Sequence, residues 1–176
     1  MEIIAMKTEN YSASFTVRQS PQGVYEAINN VRGWWSEVEE GVTDKLGAVF
    51  YHHYQDVHRC TLKITELAPG KRVVWRVLHN DFNFIKDKAE WNGTDVIFEI
   101  DKKGDDTEVR FTHVGLVPAY ECYDVCSNAW SQYITGSLRK LITTGKGEPN
   151  LAEEHASHQE EVVAKVREMN RKRKTR

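Results

Sequence analysis

Residues 11 to 18, YSASFTVR, alternate apolar and polar positions, with Ala13, Phe15 and Val17 on one face and Ser14, Thr16 and Arg18 on the other. That period of two predicts a half-buried strand. Ser20 followed by Pro21 reads as an N-cap and the favoured first helical residue, and Val24, Ala27, Ile28 and Val31 recur at helical spacing up to a break near Gly33. From Gly47 the period returns to two. GAVFYHHY, HRCTLKITEL, RVVWRVL, TDVIFEI and TEVRFTHVG are separated by turn material such as QDV, APGK and KKGDD, which predicts an antiparallel sheet built from successive hairpins.

Charges mark the outer face of each strand. Lys63 turns Cys60, Leu62 and Ile64 inward, Arg76 does so for Val73, Trp75 and Val77, Glu99 for Val96, Phe98 and Ile100, and Arg110 for Val109, Phe111 and His113. After Pro118, Tyr123, Cys126, Trp130, Ile134, Leu138, Leu141 and Ile142 form a stripe opposed by Asp124, Gln132, Arg139 and Lys140, ending at Gly145. This predicts one long amphipathic helix. Residues 1–150 form the expected domain; 151–176 read as a charged extension, helical or frayed, outside the core.

A length of 176 residues, 40% hydrophobic, allows one domain with a sizeable core. A formal net charge of -2 gives no global attraction to nucleic acid or to an anionic membrane, and basic character is concentrated in Arg171 to Arg176. Without a long apolar run or the features of a signal peptide at the N-terminus, the expected location is cytoplasmic, with no membrane insertion. Cys60, Cys122 and Cys126 match neither a disulfide scaffold nor a zinc knuckle and read as reduced, buried thiols.

The order of strand, two short helices, strand meander and long helix is the α+β helix-grip arrangement, a curved antiparallel sheet wrapped around a C-terminal helix. FTVRQSPQGVYEAINNVRGWW, TDVIFEIDKKGDDTEVRFTHVGL and CSNAWSQYITGSLRKLITTGKGEP, in that order, resemble the SRPBCC (START-like) superfamily, in its branch of activator of heat-shock-protein-90 ATPase homologue-like proteins. The resemblance spans Tyr11 to Asn150. It implies a cavity between sheet and helix that different members use for lipids, hormones, polyketides or nothing identified.

Large aromatics converge on that space. Phe50, Trp75, Phe98, Phe111, Trp130 and Tyr133 point inward, with Tyr123 and Ile134 on the helical stripe; they read either as walls of a pocket for a small apolar or aromatic molecule or as a plain aromatic core. His52, Tyr54 and His58 bracket the turn Gln55 to Val57, and pairing of Tyr54 with His58 sets His52 opposite Cys60 on the inward side. The adjacent Trp34 and Trp35 are expected to plug the cavity mouth, one indole N–H reaching water or a ligand. The loop 79–93, with Phe82, Phe84, Ile85 and Trp91, is expected to fold over an opening.

His113, at the end of an inward row, reads either as a hydrogen-bonded structural residue or as a group titrating near neutrality. A metal would need His52, His58 and Cys60 together, and the preferred reading is hydrogen-bonded histidines and no metal; His155 and His158 are read as part of a solvated tail. No nucleophile-base signature and no phosphate-cradling loop is present, so no catalytic residue, no nucleotide and no other cofactor is expected. The leading expectation is a small hydrophobic-ligand-binding protein. Alternatives implied by the resemblance are a co-chaperone module acting on a heat-shock chaperone ATPase, and a cyclase or dehydratase using His113 or His52 as acid or base. A second copy of the chain is a further expected partner.

Overall fold

The computed structural model describes residues 9–152. Strand β1 (Tyr11–Val17) leads into helix α1 (Pro21–Asn29), where the Ser20 hydroxyl accepts from the Gly23 N–H at 3.1 Å, the cap expected from Ser-Pro. A single turn, α2 (Val31–Trp34), follows. Strands β2 (Glu40–Gly41), β3 (Val49–Tyr54), β4 (His58–Ala68), β5 (Arg72–Phe82), β6 (Asp95–Lys103) and β7 (Asp106–Val114) then run as a meander. The sheet has seven strands in the order β1-β7-β6-β5-β4-β3-β2, antiparallel throughout. Helices α1 and α2 carry the chain from one sheet edge to the other.

The charge parity fixes the concave face: Cys60, Leu62, Ile64, Val73, Trp75, Val77, Val96, Phe98, Ile100, Val109, Phe111 and His113 are all buried. Parity shifts at two places along β4 and β5: Thr65 is an extra residue of β4, between the pairs Ile64–Trp75 and Glu66–Val74, and the second shift lies in β5. Leu62 pairs with Val77 but Thr61 pairs with His79, so Leu78 is the extra residue of a bulge and is exposed. A bulge resets which residues face the core, and beyond it Asn80 and Phe82 turn inward. Residues 79 to 82, expected in a loop, are therefore strand, paired with 58 to 61. The remaining connection reaches across to the last helix, where the Glu90 carboxylate accepts from the Glu121 and Cys122 N–H groups at 2.9 and 3.2 Å.

That last helix is continuous but not uniform. It begins as α3 (Tyr123–Ser131), widens into a π-helical segment (Gln132–Leu138) and closes as α4 (Arg139–Thr144), with Gly145 at φ 83° ending it in the left-handed conformation. The cause lies in the stripe. Cys126, Trp130, Ile134, Leu138 and Ile142, all buried, follow one another at a constant step of four. At about 3.6 residues per turn such a step walks off an α-helix face; a segment with bonds from residue i+5 back to i, such as Arg139 N–H to Ile134 O, keeps it on the sheet. Past Gly145 the chain returns as a strap: Asn150 N–H donates to Trp35 O and Glu37 N–H to Asn150 O, each at 3.0 Å.

Candidate functional site

A cleft of about 400 Å3 lies between the sheet and the last helix. Strands β3 to β5 and their turn supply His52, Tyr54, Val57, His58 and Phe82, the connection after β5 supplies Phe84 and Trp91, and Trp35 follows α2. The helix contributes Cys126, Ala129, Trp130, Tyr133 and Ser137, the strap Glu148 and Asn150. Exposed Tyr54, Phe84 and Val125 form its rim. The walls are stacked rings: Trp35 lies parallel on His52 with centroids 3.9 Å apart, and Trp91 lies parallel to Trp130 at 5.7 Å. No lysine or arginine is among the described residues that line the cleft.

Each polar group on the floor is held from behind. His52 Nδ1 is hydrogen-bonded to Glu39 Oε1, and Glu39 is positioned by its own loop, since Arg32 Nε and Nη2 donate to the carbonyls of Glu39 and Gly41 at 3.0 and 2.7 Å. His58 Nε2 donates to Asn80 Oδ1 at 2.6 Å, while Asn80 Nδ2 donates to Lys88 O at 3.3 Å and so fixes which end of the amide meets the ring. Tyr133 OH accepts from Asn150 Nδ2 at 2.8 Å. Burial, reinforced by His53, lowers His52 to about 3; burial, reinforced by His52 and opposed by the Asn80 bond, lowers His58 to about 3. Burial also pushes Glu39 well above the usual carboxylate range, against the attraction of Arg32 and His53. The Glu39–His52 pair thus carries one proton and no net charge. Glu39 Oε2 and Trp91 Nε1 are buried with no hydrogen-bond partner among the described residues.

Of the residues singled out from the sequence, Trp35, His52, Tyr54, His58, Trp130 and Tyr133 come together on the cleft. Phe50, Trp75, Phe98, Phe111 and Ile134 lie behind it in packed core, each 1% exposed or less. Tyr123 is half-buried at the start of α3 and away from the lining. Trp34 does not plug a mouth: it is fully buried, its ring near-parallel to those of Trp35 and Trp75 with all three centroids about 6 Å apart, and its Nε1–H is used by the Ile28 carbonyl at 3.0 Å. Nor does His113 titrate near neutrality. Its Nδ1 accepts from Trp130 Nε1 at 3.1 Å and its Nε2 donates to Thr94 Oγ1 at 2.8 Å, a neutral tautomer; burial, reinforced by His58 and opposed by Asp95, lowers it to about 3. His155 and His158 lie outside the described residues.

Glu39 and Asn80 escaped the sequence reading for different reasons. Glu39 sits in EVEEG, indistinguishable by pattern from its solvated neighbours; Asn80 becomes inward only through the bulge at Leu78, although its presence after a regular inward row was a usable sign. Cys60 is fully buried and its thiol is pushed up, first by burial and then by Glu39, which keeps it protonated. Among the described residues no group of three or more His, Cys, Asp or Glu side chains is arranged to hold a metal ion.

The sequence model of the family described as activator of Hsp90 ATPase homolog 1-like protein matches residues 19–143. The chain belongs to that family. Solved structures agree on the fold. The solution structure of the Aha1 dimer from Colwellia psychrerythraea superposes with a TM-score of 0.64 at 23% identity, covering 79% of this chain and 99% of that one. A crystal structure of a protein from Mesorhizobium loti gives 0.60 at 12% identity, covering 76% and 96%. DynU16, from the dynemicin biosynthetic locus, gives 0.56 at 15%, covering 78% of this chain and 48% of its own. A search of curated proteins found no match. This chain shares the helix-grip fold with these structures. No helix among the described residues is long and apolar enough to cross a membrane.

Proposed function

We propose that the protein binds a small, neutral, flat apolar molecule in the cleft between sheet and helix. The observation that carries this is the lining itself: Trp35, Trp91, Trp130, Phe82 and Tyr133 surround about 400 Å3 with no cationic side chain among the described lining residues. Ligand pockets commonly have this size and composition. The orphaned Nε1 of Trp91, a lining residue, supports the same reading, because a buried polar atom left unpaired costs stability and persists where it has another use. Aromatic walls favour planar rings by offset stacking, and the lack of a cation disfavours fatty-acid carboxylates and phosphates, which would be desolvated without a counter-charge.

The test is titration of the protein with uncharged polycyclic aromatics beside a long-chain fatty acid, following tryptophan emission and melting temperature. Quenching and a raised melting temperature with the aromatics, and none with the fatty acid, are expected; no response to any apolar compound refutes the reading. A chaperone-directed role has the family description as its support, and a pull-down with the host chaperone tests it. Self-association, suggested by the dimeric state of the Colwellia protein, is read directly by light scattering on the purified chain.

A further inference from the structure

Resting on the cleft as a ligand site, we infer that its floor reads a single hydroxyl on the apolar molecule, His52 donating to the oxygen and His58 accepting its hydrogen. The residue behind each ring sets which nitrogen carries its hydrogen. Asn80 Oδ1 can only accept, so His58 carries its hydrogen on Nε2, and the neutral ring keeps a lone pair on Nδ1. Asn80 cannot be reversed without breaking its donation to Lys88 O.

His52 is the complement. Its Nδ1 shares one proton with Glu39 Oε1. The Glu39 carboxyl is buried and its Oε2 receives no hydrogen bond among the described residues, a setting too poor in donors for an ionised carboxylate, so Glu39 keeps the proton and donates it to Nδ1, and a neutral ring accepting at Nδ1 bears its hydrogen on Nε2. The buried carboxyl thereby fixes His52 as a donor. The two rings lie edge to face with centroids 5.3 Å apart. One ring offers N–H, the other a lone pair, and both line the cleft.

A hydroxyl oxygen between them satisfies both with one atom. A methyl ether fills only the donor, and a bare hydrocarbon fills neither. The parallel Trp35 ring on His52 places a flat face beside this pair, so the ligand class is a phenol or a similar ring-borne alcohol, uncharged when bound.

The test uses naphthalene, 2-methoxynaphthalene and 2-naphthol as probes in isothermal titration calorimetry at neutral pH. 2-Naphthol is expected to bind on the order of tenfold or more tighter than the other two, the worth of a matched pair of neutral hydrogen bonds. In His58→Phe, with its fold checked by near-UV circular dichroism, the ratio of naphthol to naphthalene affinity is expected to fall to about one. Independently of any variant, the imidazole 15N resonances of His58 Nδ1 and His52 Nε2 should move with 2-naphthol and not with naphthalene. Equal affinity for all three probes with still nitrogens overturns the inference and leaves the apolar-ligand reading standing. Binding of none overturns both, and a naphthol preference that survives His58→Phe overturns the role of His58.

Discussion

Lowering the pH should unfold this protein through His58 and His113, and the size of the effect can be worked out from their surroundings. Both rings are buried and lowered to about 3 from an ordinary 6.5. Folded values below the unfolded one mean that the stability they contribute is present above pH 6.5 and is lost as pH falls toward 3. The Glu39–His52 pair behaves differently. Folded, it holds one proton; unfolded between the ordinary glutamate value and the ordinary histidine value, it also holds one, now on His52 alone. Its contributions cancel, since Glu39 is shifted up and His52 down. Unfolding thus takes up two protons, one for each of the other two histidines. At about 1.36 kcal/mol per proton per pH unit, stability should fall by about 3 kcal/mol per unit below pH 6.5, or about 4 kcal/mol by pH 5. Against a total of about 5–15 kcal/mol this is a large fraction.

The assay is urea unfolding followed by tryptophan emission at half-unit steps of pH, with stability plotted against pH. Surface carboxylates add their own slope, so the decisive quantity is the difference between wild type and variants. His58→Phe and His113→Leu should each remove about one proton from the slope, near 1.4 kcal/mol per pH unit. The double variant Glu39→Leu with His52→Phe should leave the slope as it was. A wild-type slope near zero between pH 6.5 and 5, or a double variant that changes it as much as His58→Phe does, refutes this assignment of protons.

The same double variant should raise stability at neutral pH by about 1–4 kcal/mol, because it replaces a buried polar pair and the orphaned Glu39 Oε2 with apolar groups; the urea midpoint reads this, and a fall would mean that the pair is structural. Thr94→Val keeps the shape but strands the His113 Nε2–H, which Thr94 Oγ1 meets at 2.8 Å, and leaves the Trp91 carbonyl only the Thr94 N–H at 3.0 Å; the expected loss is about 1–3 kcal/mol by urea denaturation. Gly147→Ala sets a Cβ against the carbonyl oxygen of Gly33 and near that of Ser137. Since both are backbone, the strap must shift, and a loss of about 1–3 kcal/mol should appear as a melting temperature lower by several degrees.

Where one residue decides its own environment, the amino-acid pattern was sufficient. Lys63, Arg76, Glu99 and Arg110 each need water, and in a strand that requirement fixes the neighbours on either side, which is why the concave face was readable strand by strand. The pairing of Tyr54 with His58, and so of His52 with Cys60, followed from a short turn with little freedom. What could not be read was the depth of each aromatic within that face. Trp34 and Trp35 are adjacent and chemically identical, yet one is core and the other cleft wall, because α2 is a single turn that points consecutive residues in different directions.

Two local irregularities, each with a trace in the sequence, bring side chains to the cleft. On the sheet side, the bulge at Leu78 reverses parity and brings Asn80 and Phe82 inward where continued alternation would have put Asp81. On the helix side, the constant four-residue step from Cys126 to Ile142 requires the π-helical turn. Trp130 lies just before that turn, and Tyr133 and Ser137 lie within it; all three line the cleft. An α-helix of the same length would rotate Ile134 and Leu138 away from the sheet, so the wide turn costs backbone regularity while keeping the apolar stripe buried. The polar floor is built in two layers: His52 and His58 line the cleft, while the buried Glu39 and Asn80 hold them from behind.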